Sequence, residues 1–81
     1  MVIEMRRKDN RQFVQLGLNI AYYRKMKGLT QEQFAETLGI SRTHLSSIES
    51  PKSSHAPSLE LVLKISRALE INIDKLLDLN L

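Results

Sequence analysis

Residues 30–49, TQEQFAETLGISRTHLSSIE, decide the fold. Within them Phe34, Ala35 and Leu38 recur at i, i+1 and i+4, an apolar stripe on a helix that Thr30 is suited to cap. Gly39 ends that helix, because a residue without Cβ readily takes the left-handed conformation that helix ends commonly require. Ile40 follows as an apolar plug in the turn, and Ser41 restarts the helix, its hydroxyl placed to accept from the free N–H groups of the next turn. Leu45 and Ile48, three apart, mark the inward face of the second helix. The stretch reads as two short helices joined by a tight turn.

What remains faces outward. On a helix whose inner face is Leu45 and Ile48, the opposite side carries Arg42, Thr43, Ser46 and Ser47, with His44 on the flank. These are hydrogen-bonding side chains. Arg42 can present its fork to guanine O6 and N7, and Thr43 offers a methyl for thymine and a hydroxyl for a base edge or phosphate. Ser46 and Ser47 keep the middle of the face slim, which suits a helix that enters a major groove.

Read together with its flanks, GLTQEQFAETLGISRTHLSSIE resembles the helix-turn-helix of Cro/repressor-type (XRE-like) regulators. Ile20, Tyr23 and Arg24, ahead of Gly28-Leu29-Thr30-Gln31, are similar to that family's first helix, and the stretch from Pro57-Ser58-Leu59 to Leu77 to its last two, so the likeness covers residues 16–77. It implies an all-α, five-helix, lambda-repressor-like domain that binds operator DNA. It also implies that Arg24 pairs with Glu49 as a structural ion pair and that Gln31 holds a DNA phosphate, a role favoured over that of an ordinary first-turn Gln that helps the cap. Thr30 and Ser41, at the helix starts, are further candidates for phosphate. The run Arg42-Thr43-His44-Leu45-Ser46-Ser47-Ile48-Glu49 is similar to the reading helix of restriction-modification controller proteins. One departure stands out: after Glu49 the family usually has a basic residue and Gly, where this chain has Ser50-Pro51-Lys52-Ser53-Ser54-His55.

Upstream, a first helix is expected from Asp9 or Asn10, either of which can cap, to about Lys27, with Phe13, Leu16, Ile20 and Tyr23 on one stripe and Gly28 as its stop. Residues 1–8 have no cap and read as a basic arm ahead of a domain at 9–78, with an apolar tail at 79–81. The positive charge concentrates there. Lys and Arg against Asp and Glu number seven to two over residues 1–29, two to three over 30–57 and three to four over 58–81, within a net charge of +3. Arg6, Arg7, Lys8 and Arg11 either touch DNA phosphate or are a solvated face.

Downstream, residues 50–58 hold Pro51, Pro57 and four serines and read as a loop, from which Lys52 either meets the sugar-phosphate backbone or is plain surface. Ser58 is suited to cap a fourth helix ending near Leu69, and Asn72 a short fifth. Around and after this fifth helix the apolar residues Ile71, Ile73, Leu77, Leu79 and Leu81 either complete the monomer's core or form a two-fold dimer interface. A dimer would set two reading helices about 34 Å apart on a palindromic site.

At 81 residues the chain holds one domain at most. It has no cysteine, so neither disulfides nor thiolate metal sites arise, and His44 and His55 lack partners nearby in sequence for a metal site. No cofactor is expected. No apolar run approaches a membrane span and the N-terminus lacks a signal-peptide core, which points to the cytoplasm. There is no paired nucleophile and base and no glycine-rich phosphate loop, so the expectation is a DNA-binding regulator and not an enzyme. The alternative is an interaction module whose apolar C-terminal face binds another protein, as in an antitoxin of the same fold.

Overall fold

The computed structural model describes the backbone of residues 2–52 and 56–79 and the side chains of residues 11–52 and 56–79. Five helices follow one another: α1 (Val2–Met26), α2 (Gln31–Leu38), α3 (Arg42–Glu49), α4 (Leu59–Leu69) and α5 (Ile73–Leu76). No strand occurs among the described residues.

Each helix contributes one face to a shared core. Leu16 and Ile20 come from α1, Phe34, Ala35 and Leu38 from α2, Leu45 and Ile48 from α3, Val62, Ile65 and Leu69 from α4, and Leu76 from α5. Fully burying an aliphatic or aromatic side chain of this size contributes about 1.5–3 kcal/mol, and this set is what a chain of such length has to offset its conformational entropy. α1 lies across α3, α4 and α5, and α2 packs on both α3 and α4. That arrangement presents the outer side of α3 to solvent.

The helix ends follow from local chemistry. Thr30 Oγ1 accepts from the Gln33 N–H at 3.1 Å while Gln33 Oε1 accepts from the Thr30 N–H at 3.0 Å, a reciprocal cap. Ser41 and Ser58 cap α3 and α4 through the N–H groups of His44 and Leu61. α1, α2 and α4 all close on a left-handed residue: Gly28, Gly39 and, without a glycine, Glu70 at φ 57°. At Gly39 and Glu70 the N–H of the following residue returns to a carbonyl five positions back, Ile40 to Ala35 and Ile71 to Ser66.

Two sequence expectations are corrected by the fold. α1 does not start at Asp9 or Asn10 but runs from Val2, so residues 2–8 continue the helix where a separate arm was expected. Nothing between Val2 and Leu16 is Gly or Pro, and a residue able to cap does not oblige a helix to begin. Asn72 stands at the start of α5 but its side chain makes no capping bond; its carbonyl accepts from the Lys75 N–H instead. The side chains of Arg6, Arg7 and Lys8, and Ser53, Ser54, His55 and Leu81 altogether, lie outside the described residues.

Candidate nucleic-acid interface

The periodicity of α3 divides its eight residues between two surfaces. Leu45, Ile48 and Glu49 are buried, whereas Arg42, Thr43, His44 and Ser46 are exposed and Ser47 is half-buried. Arg42, Thr43, Ser46 and Ser47 line one open depression, which Ser50 and Lys52 complete at its far end. Four of the expected base-reading residues and the expected loop lysine are thus on one surface. His44 is exposed but does not line the depression.

A second depression is lined by Thr30, Gln31, Glu32, Gln33 and again Arg42. Arg42 therefore belongs both to the outer face of α3 and to the start of α2, where unpaired N–H groups and the helix dipole favour an anion. Arg42 and Lys52 supply positive charge to the first depression, and Glu32 opposes Arg42 in the second. Thr30 and Ser41 each use the hydroxyl oxygen as a cap acceptor, which leaves the hydroxyl proton to donate outward.

Behind this face sits a buried polar network. Arg24 donates from Nε to Glu49 Oε2 at 2.8 Å and from Nη2 to Glu49 Oε1 at 3.0 Å, a two-pronged pair whose side chains are only 7% and 4% exposed. Arg24 Nη1 donates to the Leu29 carbonyl at 2.6 Å, and Gln31 Nε2 donates to Glu49 Oε1 at 3.0 Å. Among the described residues every buried side-chain polar atom has a partner. The network joins the end of α1, the turn after it, the first residue of α2 and the last of α3. It also engages Gln31 internally, since a carboxylate buried this deeply needs donors and one Nε2 proton of Gln31 is committed to it.

Two positions that sequence reasoning passed over help hold the arrangement. Gly17 is buried where α1 crosses α3, and a Cβ there would lie 2.2 Å from the Ile48 carbonyl oxygen. A glycine inside a helical pattern was the available signal of such a close approach. Asn19 donates from Nδ2 to the Leu76 and Asp78 carbonyls, both at 2.9 Å, and accepts from Gln15 Nε2 at 2.8 Å. It ties the α5 end of the chain to α1, and no local pattern announces it.

The residues expected at a dimer interface separate into two kinds. Ile71, Ile73 and Leu79 are partly buried against the monomer's own core, whereas Leu77 is 43% exposed. Leu18, Tyr22 and Met26, spaced by four on the outside of α1, are also exposed. Tyr23 and Met26 share an apolar hollow with Leu69 and Ile71, bordered by Lys27 and Lys75.

Residues 20–76 match the helix-turn-helix family. The chain belongs to that family, as a member of the Cro/repressor (XRE) type. Among similar helix-turn-helix proteins, the transcriptional regulator SinR of Bacillus subtilis (strain 168) is 36% identical over 63 residues, 78% of this chain and 56% of that protein. The chain thus spans little more than half the length of that relative. A crystal structure of SinR, the master regulator for biofilm formation, in complex with DNA superposes with a TM-score of 0.70 at 36% identity, over 78% of this chain and 98% of that one. The restriction-modification controller protein C.AhdI from Aeromonas hydrophila superposes with a TM-score of 0.71 at 31% identity, over 79% and 94%. The fold is shared with both over those residues.

Proposed function

We propose that this helix-turn-helix chain binds double-stranded DNA sequence-specifically and regulates transcription by occupying an operator. The observation that carries the reading is the open depression along the outer face of α3, lined by Arg42, Thr43, Ser46, Ser47, Ser50 and Lys52, while the other face is fixed in the core. Arg42, Thr43 and Ser47 read base edges, with His44 and Ser46 in support. Thr30, Ser41 and Lys52 hold phosphate, and Gln31 joins them through the Nε2 proton not used by Glu49. The likeness to a regulator solved in complex with DNA supports the assignment. The mechanism is binding alone. No helix among the described residues is long and apolar enough to cross a membrane, which fits the cytoplasmic setting we assign.

The protein acts in this reading as a homodimer on a palindrome, through the exposed Leu77 together with the uncovered parts of Ile71, Ile73 and Leu79. Selection of bound sequences from a random duplex pool at fixed salt tests the whole: a palindrome with half-sites about one helical turn apart is expected. Recovery of no preferred sequence would refute it. Arg42→Ala should then cost about 1–3 kcal/mol on the preferred site and relax one base pair, and an equal loss on every sequence would make Arg42 a phosphate contact instead. A monomeric mass by sedimentation at micromolar concentration would remove the dimer. The second reading, a protein-binding module, draws on the hollow of Tyr23, Met26, Leu69 and Ile71, and a pull-down with Met26 and Leu77 replaced by polar residues tests it.

A further inference from the structure

We infer that Gly17 is a positioning residue for the reading helix, setting how closely the C-terminal end of α3 seats against α1 and hence which bases that end can reach. The inference rests on the DNA-reading function proposed above. Gly17 and Arg24 are seven residues apart, two turns, and so occupy one face of α1. Both act on the last two residues of α3. Arg24 draws Glu49 inward through two hydrogen bonds, and Gly17 presents bare backbone to Ile48, so close that a built Cβ falls 2.2 Å from the Ile48 oxygen, 3.3 Å from its carbonyl carbon and 3.4 Å from the Glu49 Cα. One residue is a tether and the other a stop.

The obstacle to a larger residue is backbone, which cannot swing aside as a side chain can. Ordinary contact with a methyl group requires α1 and the end of α3 to part by roughly 1 Å. The two ends of α3 would not move equally. Its N-terminal end is joined to α2 through the short turn at residues 39–41, so a push at Ile48 tilts α3 about its Arg42 end. Ser46 and Ser47, and Ser50 and Lys52 beyond them, are carried furthest, and Arg42 and Thr43 least. A contact made at hydrogen-bond distance does not survive a shift of that size.

The test compares wild type, Gly17→Ala and Leu76→Ala, the last being a destabilised control that opens a cavity under α5, which packs on α1 and α4. Each is taken through duplex selection and titrated against the preferred site and against a random duplex, at a temperature where far-UV circular dichroism shows it folded. Gly17→Ala should lose about tenfold more affinity for the preferred site than for random duplex, the size of one good base contact, with any loss common to both duplexes coming from the displaced Lys52. Its lost preference should fall at base pairs opposite the C-terminal half of α3, with the Arg42 base pair still selected, and Leu76→Ala should keep the wild-type ratio. If Gly17→Ala retains the wild-type ratio and sequence preferences, or if both variants lose them alike, Gly17 serves stability alone and the inference fails. If wild type itself selects no sequence, the DNA-reading function fails and the inference with it. Should Gly17→Ala not fold by itself, the same comparison is made in a Glu70→Gly background, which relieves the left-handed glutamate at the end of α4.

Discussion

Replacing Arg24 by methionine keeps most of the apolar stem and removes the guanidinium from the buried network. Glu49 would then stand with its side chain 4% exposed and only Gln31 Nε2 as donor, and the Leu29 carbonyl would lose its Arg24 partner. Breaking a buried pair from one side typically costs about 3–5 kcal/mol, because the surviving charge is left without compensation. The whole stability of a chain this long is on the order of 4–12 kcal/mol at the usual value per residue. Arg24→Met should therefore remove a quarter or more of it. The double variant Arg24→Met/Glu49→Leu removes both charges and fills the space with apolar atoms, and it should recover most of the loss. Urea unfolding followed by far-UV circular dichroism, with wild type, both single variants and the double variant, gives the coupling between the two residues. A loss below about 1 kcal/mol for Arg24→Met, or a double variant as unstable as the worse single one, would refute the reasoning. The double variant carries a second result: if it is stable yet reads DNA poorly, the pair serves the placement of α3 and not the free energy of the fold.

In a Lys27→Met background, where no ion pair is lost, Glu70→Gly should raise Tm by a few degrees in a thermal scan, since glycine takes φ 57° without the Cβ penalty; an unchanged or lower Tm would count against strain at that position. Lys27, by its hydrogen bond first and its charge second, holds the Glu70 carboxyl below the usual glutamate range. A carboxyl depressed in the folded state stabilises above its unfolded pKa and ceases to do so as pH falls through its folded one, so any stability difference between wild type and Lys27→Met should be largest near neutrality and vanish in acid. In a carboxyl NMR titration, Glu70 should return to the ordinary range in Lys27→Met. Asn19→Ala should cost about 1 kcal/mol and speed amide exchange over residues 76–79, and unaltered exchange there would show that the α5 end is held by packing instead.

The helix-turn-helix was legible because its signals are local. Thr30, Gly39 and Ser41 mark ends by their own chemistry, and the spacing of Phe34, Leu38, Leu45 and Ile48 fixes which side turns inward. The surface left over follows at once, which is why Arg42, Thr43, Ser46 and Ser47 were identifiable before any coordinates. What escaped were contacts between residues distant in sequence. Asn19 meets carbonyls more than fifty positions away, and Gln31 finds Glu49 only because α2 and α3 fold back on each other. The start of α1 was misplaced because a residue able to cap and a residue actually capping look the same in a sequence. The end of α4 was located near Leu69 by apolar spacing alone; that a glutamate would close it in the left-handed region has no local signature.

The division of labour along α3 bears on how proteins of this build diverge. Leu45, Ile48 and Glu49 are held by the core and by Arg24, whereas Thr43 and Ser46 touch solvent and carry no part of the fold. Substitutions at Thr43 and Ser46 therefore cost the domain little stability, and under the DNA-reading function proposed above a duplicated copy is free to wander from one operator to another through them. Arg42 is the exception. Because it lines the depression at the start of α2 as well as the face of α3, exchanging it would alter both surfaces at once. New specificities should thus arise first at Thr43 and Ser46, with Arg42 changing last.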